Sequence, residues 1–253
     1  MLILKVLSRL LDYPSQDLFT AKVDLLTVVE QSVDISPQTK QQLTDFISNL
    51  VSKDIYDAQE RYDLLFDRGR SLSLLLFEHV HGESRDRGQA MVNLLDVYRT
   101  NGFEIHSSQL PDYIPLYLEF LSEQPKEFAQ EWLGDICHIM TMLSERLIER
   151  ECDYCILFDA LIEFSGFAVD RLEIAKAISK EERDDTVEMI DKAWEDKEIR
   201  FDEPVADQCP SSKPAIDLAS IDITPSQDVP IKWHNAGGSQ PSELTQNTRM
   251  SGL

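Results

Sequence analysis

Residues 125–150 read PKEFAQEWLGDICHIMTMLSERLIER, and within them Phe128, Trp132, Ile136, Ile139, Met140, Leu143 and Leu147 recur at steps of three and four. That period gathers the apolar side chains onto one stripe of a helix, whereas a half-buried strand would alternate at every second residue. The spacing predicts one long helix beginning just after Pro125. The same rhythm returns in Ile3, Leu7, Leu10 and Leu11, in Phe19, Val23 and Leu26, and in Leu43, Phe46, Ile47 and Leu50. These read as amphipathic helices. Pro14 and Ser15 stop the first and open the second, while Ser36 before Pro37 is a capping residue followed by proline at the first helical position.

A further helix is expected from Asp54 to Phe66, with Ile55, Tyr62, Leu65 and Phe66 inward and Gly69 as its breaker. Ser84 is the expected cap of a helix carrying Met91, Leu94, Leu95 and Tyr98, which closes on a left-handed cap at Asn101-Gly102. After a loop, Pro111 is expected to restart a helix bearing Ile114, Tyr117, Leu118 and Leu121, and another helix is expected over 156–169. No segment shows strand alternation bounded by hairpin turns, so the fold class is all-α: a single-domain helical bundle. The expected boundaries are a helical domain over 1–178, a marginal acidic helix over 179–200, and a disordered acidic tail over 201–253, rich in Pro, Ser, Asp and Gln. Trp233 and Met250 are lone apolar residues in that tail.

Composition narrows the partners. The 253 residues carry 46 acidic against 24 basic side chains, a net charge of -22. A field of that sign repels nucleic acid and anionic lipid and attracts cationic segments, although acidity also serves plain solubility. No apolar run approaches the roughly 18 residues of a membrane span, and Lys5, Arg9 and Asp12 interrupt the apolar N-terminus, which reads as a mature helix and not as a signal peptide. Four cysteines without a regular framework fit a reducing compartment, so a cytoplasmic location is expected, without stable membrane insertion.

Catalytic and metal chemistry finds little support. Cys152-Asp-Tyr-Cys155 lacks the βαβ context of a redox pair and the second motif of a zinc site, so both thiols are expected to be small core residues. His79 and His81 would point some 200° apart on a helix and could not chelate one ion. His106 and His234 have no evident partners. No nucleophile elbow, Walker loop or GxGxxG occurs, so no catalytic residue, no metal and no cofactor is assigned, and the chain is expected not to be an enzyme. What stands out is a dense central stretch in which Arg68, Arg70, Arg85 and Arg87 interleave with Asp67, Glu78, Glu83 and Asp86. It reads either as ion pairing around two helix ends or as a cationic rim for a carboxylate or phosphate.

Three stretches together resemble a known family: LSRLLDYP at 7–14, YDLLFDRGRSLSLLLFEHVHGESRDRGQAM at 62–91, and GFEI with LPDYIPLYLEFL within 102–121. The chain resembles, over about residues 1–175, the nitrate reductase delta-subunit family of NarJ-type molybdenum-cofactor assembly chaperones. The resemblance implies a helical bundle of the molybdenum-enzyme maturation type. It implies binding of the N-terminal segment of the apo form of the respiratory nitrate reductase alpha subunit, assistance to molybdenum cofactor insertion, and absence from the mature enzyme. Helix-in-groove recognition of a cationic amphipathic segment suits an acidic bundle. Candidate peptide-binding residues drawn from the matching segments are Tyr62, Leu65, Phe66, Asp67, Arg68, Arg70, His79, Asp112, Tyr113, Leu116, Tyr117 and Phe120. Tyr62, Leu65, Leu116 and Phe120 are equally readable as core. The alternatives are a cofactor- or metal-carrying accessory protein, or a structural subunit retained in the finished enzyme.

Overall fold

The computed structural model describes residues 1–82, 86–105, 109–167 and 169–194, which belong to one compact unit. The expected cap at Ser84, the charges of Glu83 and Arg85, His106, His234, and the tail beyond 201 with Trp233 and Met250 lie outside the described residues. Among those residues the secondary structure is helical, apart from one isolated antiparallel bridge between Leu75 and Tyr113. The fold is all-α.

Helix α1 (Leu2–Leu11) buries Ile3, Leu4, Val6, Leu7, Leu10 and Leu11, each contributing about 1.5–3 kcal/mol of transfer free energy. So wide an apolar face needs partners on several sides. After α2 (Gln16–Thr20), helices α3 (Lys22–Gln31) and α4 (Pro37–Ser52) pair with one another, and α3 packs on α1. Ser15 caps α2 by accepting from the Leu18 amide, and Ser36 caps α4 by accepting from Thr39, as their spacing predicts. Helix α5 (Ile55–Phe66) follows, capped by the Asp54 carboxylate on the Tyr56 amide. Short α6 (Leu76–His81) and then α7 (Asp86–Thr100) lead to Gly102, whose φ of 76° is the left-handed cap expected there.

Helix α8 is Ile114–Ser122, three residues later than Pro111 suggested. Pro111 and Asp112 instead form a turn, and Pro115 is the proline of the first helical turn. α8 lies antiparallel to α1: the Met1 amine donates to the Ser122 carbonyl at one end, and the Ser8 hydroxyl donates 2.7 Å to the Pro115 carbonyl near the other. The long helix expected after Pro125 is two, α9 (Lys126–Asp135) and α10 (Cys137–Glu149), broken at Ile136 with φ -104° and ψ 9°. The apolar stripe survives the break, because Trp132, Ile136, Ile139, Met140, Leu143 and Leu147 are all buried. Gly134, just before it, faces the Phe167 ring so closely that a Cβ would come within 2.5 Å of the ring.

α11 (Cys155–Ser165) ends four residues earlier than expected, because Gly166 takes a left-handed φ of 74°. It packs on α10, α9, α4 and α1, and α12 (Arg171–Ile178), capped by Asp170, closes over α10. Within 179–194 the acidic run at 181–186 is not helical, and the helix there is α13 (Val187–Trp194). No helix among the described residues is long and apolar enough to cross a membrane.

Candidate functional site

The outward face of α5 and the end of α1 form the candidate site. Ala58, Tyr62 and Phe66, four residues apart, point inward and fix the rotation of α5. Phe66 packs edge-on against Tyr154, their ring centroids 5.3 Å apart. The Tyr62 hydroxyl lies 3.0 Å from the Leu11 carbonyl and 3.1 Å from the Tyr113 hydroxyl, and Tyr113 donates 3.0 Å to Asp12 Oδ1. One phenolic proton thus serves two acceptors and ties α5, α1 and the start of α8 together. Burial raises both phenols, so at neutral pH they are hydrogen-bonding pins and not acids.

With that rotation set, the opposite face presents Asp57, Glu60, Asp63 and Asp67 at steps of three and four, all exposed. Three apolar groups stand beside this column: Tyr56 is 76% exposed, Tyr13 45% and Leu64 39%. Tyr13 lies edge-on against Tyr62 at 5.5 Å, and Gln59 fixes the approach of α1 by donating 2.8 Å to the Pro14 carbonyl. An open groove runs along the column between Tyr56, Glu60, Asp63, Leu64, Asp67 and Arg68. Partial desolvation and then neighbouring Asp63 push the Asp67 carboxyl above its usual range. Like charges at i and i+4 weaken a helix by a few tenths of a kcal/mol, so this face carries a strain that a bound cation would relieve.

The other sequence candidates fall into two groups. Tyr117 and Phe120 are fully buried and Leu116 nearly so. Tyr117 donates 3.0 Å to the Trp132 carbonyl, and Phe120 packs among Tyr98, Phe103, Phe128 and Trp132. They are core, not lining of the α5 groove. Leu65 is half-buried, while Asp67, Arg68 and Arg70 are exposed around the end of α5.

Asp112 is fully buried, in the turn ahead of α8. It serves not its own helix but the first turn of α6: Oδ2 accepts from the Phe77 amide at 3.1 Å, and the Asp112 carbonyl accepts from Leu76 at 3.0 Å. Arg87 Nη2 lies 3.8 Å from that carboxylate, and Nη1 donates 3.1 Å to Glu78. Of the interleaved charges, the ion pair Arg87–Glu78 is present, which favours the pairing reading for Arg87. His79 places Nε2 2.8 Å from the Ser73 carbonyl, which assigns the proton to that nitrogen, and burial lowers its pKa to about 4. Being helical, His79 and His81 diverge. Among the described residues no cluster of three or more His, Cys, Asp or Glu side chains is arranged to hold a metal ion. Cys152 is buried beside Arg61 and Cys155 half-buried, and burial raises both thiols, Cys155 to about 11. Thiolate chemistry is disfavoured there.

Tyr13, Tyr56, Leu64 and the carboxylates Asp57, Glu60 and Asp63 were absent from the sequence candidates. Their signal was available in the three-and-four spacing of the acids on the face opposite Ala58, Tyr62 and Phe66.

Comparison with known proteins gives this arrangement its context. The family model described as nitrate reductase delta subunit matches residues 34–160. The chain is 44% identical over 201 residues to the nitrate reductase molybdenum cofactor assembly chaperone NarJ of Escherichia coli K12, covering 79% of this chain and 85% of that one. It is 43% identical over 212 residues to the probable assembly chaperone NarW of the same strain, covering 84% and 89%. Against the probable NarJ of Bacillus subtilis 168 the identity is 27% over 156 residues, covering 62% and 84%. With half its length under the family model and more than two thirds aligned to relatives above 40% identity, this chain belongs to the nitrate reductase delta subunit family.

Proposed function

We propose that this chain is a cytoplasmic chaperone of respiratory nitrate reductase, which holds the apo alpha subunit by its N-terminal segment while the molybdenum cofactor is inserted and then leaves. The relatives named as nitrate reductase molybdenum cofactor assembly chaperones support the role, and such proteins assist a client without catalysing its reaction. The chain is accordingly not an enzyme.

The observation that carries the leader-binding step is the α5 face: a column of four exposed carboxylates flanked by exposed Tyr13, Tyr56 and Leu64. An amphipathic helix bearing Lys or Arg along one edge complements it, with apolar residues on the aromatic rim and cations on the acids. Of the sequence candidates, Asp67 and Arg68 stand at this groove, Tyr62, Phe66 and Tyr113 shape it from beneath, and Arg70 lies just beyond.

The role is tested in cells lacking this chain, by isolating the alpha subunit and measuring its molybdenum content with and without a restored copy. Restoration of molybdenum and of nitrate reduction, with a membrane enzyme free of this chain, is the expected result. A fully loaded alpha subunit in its absence would end the proposal.

A further inference from the structure

Two arginines near the end of α10, outside the α5 face, converge with the loop between α5 and α6 on the acidic run after α12. Arg146 has 7% of its side chain exposed and Arg150 6%. Buried guanidinium groups need partners on their donors. Arg146 Nε and Nη2 donate 2.9 and 3.1 Å to the two carboxylate oxygens of Glu181, a bidentate fork, and Nη1 donates 2.7 Å to the Ser71 carbonyl. Arg150 Nη2 donates 2.7 Å to Ser71 Oγ and 3.1 Å to Asp184 Oδ1. Ser71 completes the grip on Asp184, its amide donating 2.7 Å to Oδ2 and its hydroxyl 2.6 Å to Oδ1.

Two further features mark this as a cradle and not a chance surface pairing. Gly69 stands so close that a Cβ there would come 2.6 Å from Asp184 Oδ1, so the backbone is bare where the anion sits. Arg150 Nη1 is buried without a hydrogen bond, its carboxylate neighbour Asp185 being 3.5 Å away, and a cavity of about 30 Å³, roughly one water, opens among Ser71, Arg146 and Arg150, with Glu149, Glu181 and Glu182 also lining it. Two planar forks, an amide, a hydroxyl and a glycine are the donor set that proteins use for phosphate as well as carboxylate. The Glu181 and Asp184 carboxylates fill this donor set.

We propose that Arg146, Arg150, Ser71 and Gly69 form an oxyanion site for a phosphate-class ligand, and that Glu181 and Asp184 are a tethered plug filling it. Because the plug is part of the chain, its effective concentration is in the millimolar range or above, and free ligand meets an occupied site. Release of the strap at 181–185 opens the site, and ligand binding holds the strap off α10.

The test uses the full chain and inorganic pyrophosphate at constant ionic strength, followed by calorimetry. Wild type should bind weakly and E181Q/D184N at least ~10-fold more tightly, with R150Q added to that variant abolishing the gain. Equal affinity in wild type and the strap variant, or a gain that survives R150Q, overturns the proposal. Glutarate binding to the strap variant as tightly as pyrophosphate overturns the phosphate class. Should the strap variant fail to fold, hydrogen exchange of the unmodified chain decides. Amides at 180–186 should exchange at least ~3-fold faster with 20 mM pyrophosphate, an amount on the scale of the plug's effective concentration, than with sodium chloride of matched ionic strength, and an unchanged rate overturns the proposal.

Discussion

Replacing Asp112 separates two roles of one buried carboxylate. Its Oδ2 is the acceptor for the buried Phe77 amide, and Arg87 has this group as a second carboxylate beside Glu78. Asp112→Ala strands the amide, which costs about 1–3 kcal/mol. At about 2 kcal/mol that is roughly 4–8 °C in Tm for a chain of this size. Asp112→Asn keeps an acceptor for Phe77. Burial raises the Asp112 carboxyl, although Phe77 and Arg87 pull the other way, so ionisation is itself disfavoured by the fold. With a folded pKa above the unfolded one, its contribution is fully present below the unfolded value of about 3.9 and lost as pH rises through the folded value. The amide escapes that loss, and Asp112→Asn should lie within about 1 kcal/mol of wild type at pH 7. Urea unfolding followed by far-ultraviolet circular dichroism measures both. Equal losses in the two variants, or less than about 1 kcal/mol for Asp112→Ala, would refute this reading.

The remaining expectations concern single contacts. Burial lowers His79 to about 4 from 6.5, so the unfolded chain binds its proton first and stability falls as pH drops from 6.5 towards 4. About 2 kcal/mol should disappear between pH 7 and 5, and His79→Gln should flatten that part of a urea-midpoint profile. Gly166→Ala meets no atom within 4 Å but must hold a φ of 74°, so it should cost about 1 kcal/mol in urea unfolding by backbone strain alone. Gly69→Ala should destabilise by about 1–3 kcal/mol, since its Cβ collides with an Asp184 carboxylate pinned by Ser71 and Arg150, and exchange at 180–186 should quicken. Asp63→Asn with Asp67→Asn should raise thermal stability slightly, by a few tenths of a kcal/mol, while weakening client binding.

Much of the fold was legible because local signals and packing agree. Ser36-Pro37, Ser15, Asn101-Gly102 and the apolar stripes of α1, α4 and α10 each carry their own reason. The helix expected to continue through Ile136 did not, since hydrophobic period alone is blind to a break that preserves the stripe. The left-handed stop at Gly166 is a local signal of the same kind as Gly102. Pro111 misled because proline suits a turn before a helix as well as a helix start. Gly69 looked like a breaker, yet it lacks a positive φ, and its small size answers Asp184, which is 115 positions away in sequence. The site divides likewise: the acidic face of α5 and the apolar stripe that takes Tyr117 and Phe120 into the core are local patterns at helical spacing, whereas Arg146 and Arg150 meeting Ser71 depends on contacts that no local rule encodes.

In the proposed function the α5 face takes a cationic amphipathic segment of the client. Titrating a peptide matching the N-terminal segment of the nitrate reductase alpha subunit into the full chain, by calorimetry at low and high salt, tests it most directly. Binding should be saturable, with a negative heat-capacity change, an affinity that falls with salt, and at least ~10-fold weakening in D63N/D67N. No saturable heat at high micromolar peptide, or an affinity indifferent to those two carboxylates, would contradict it.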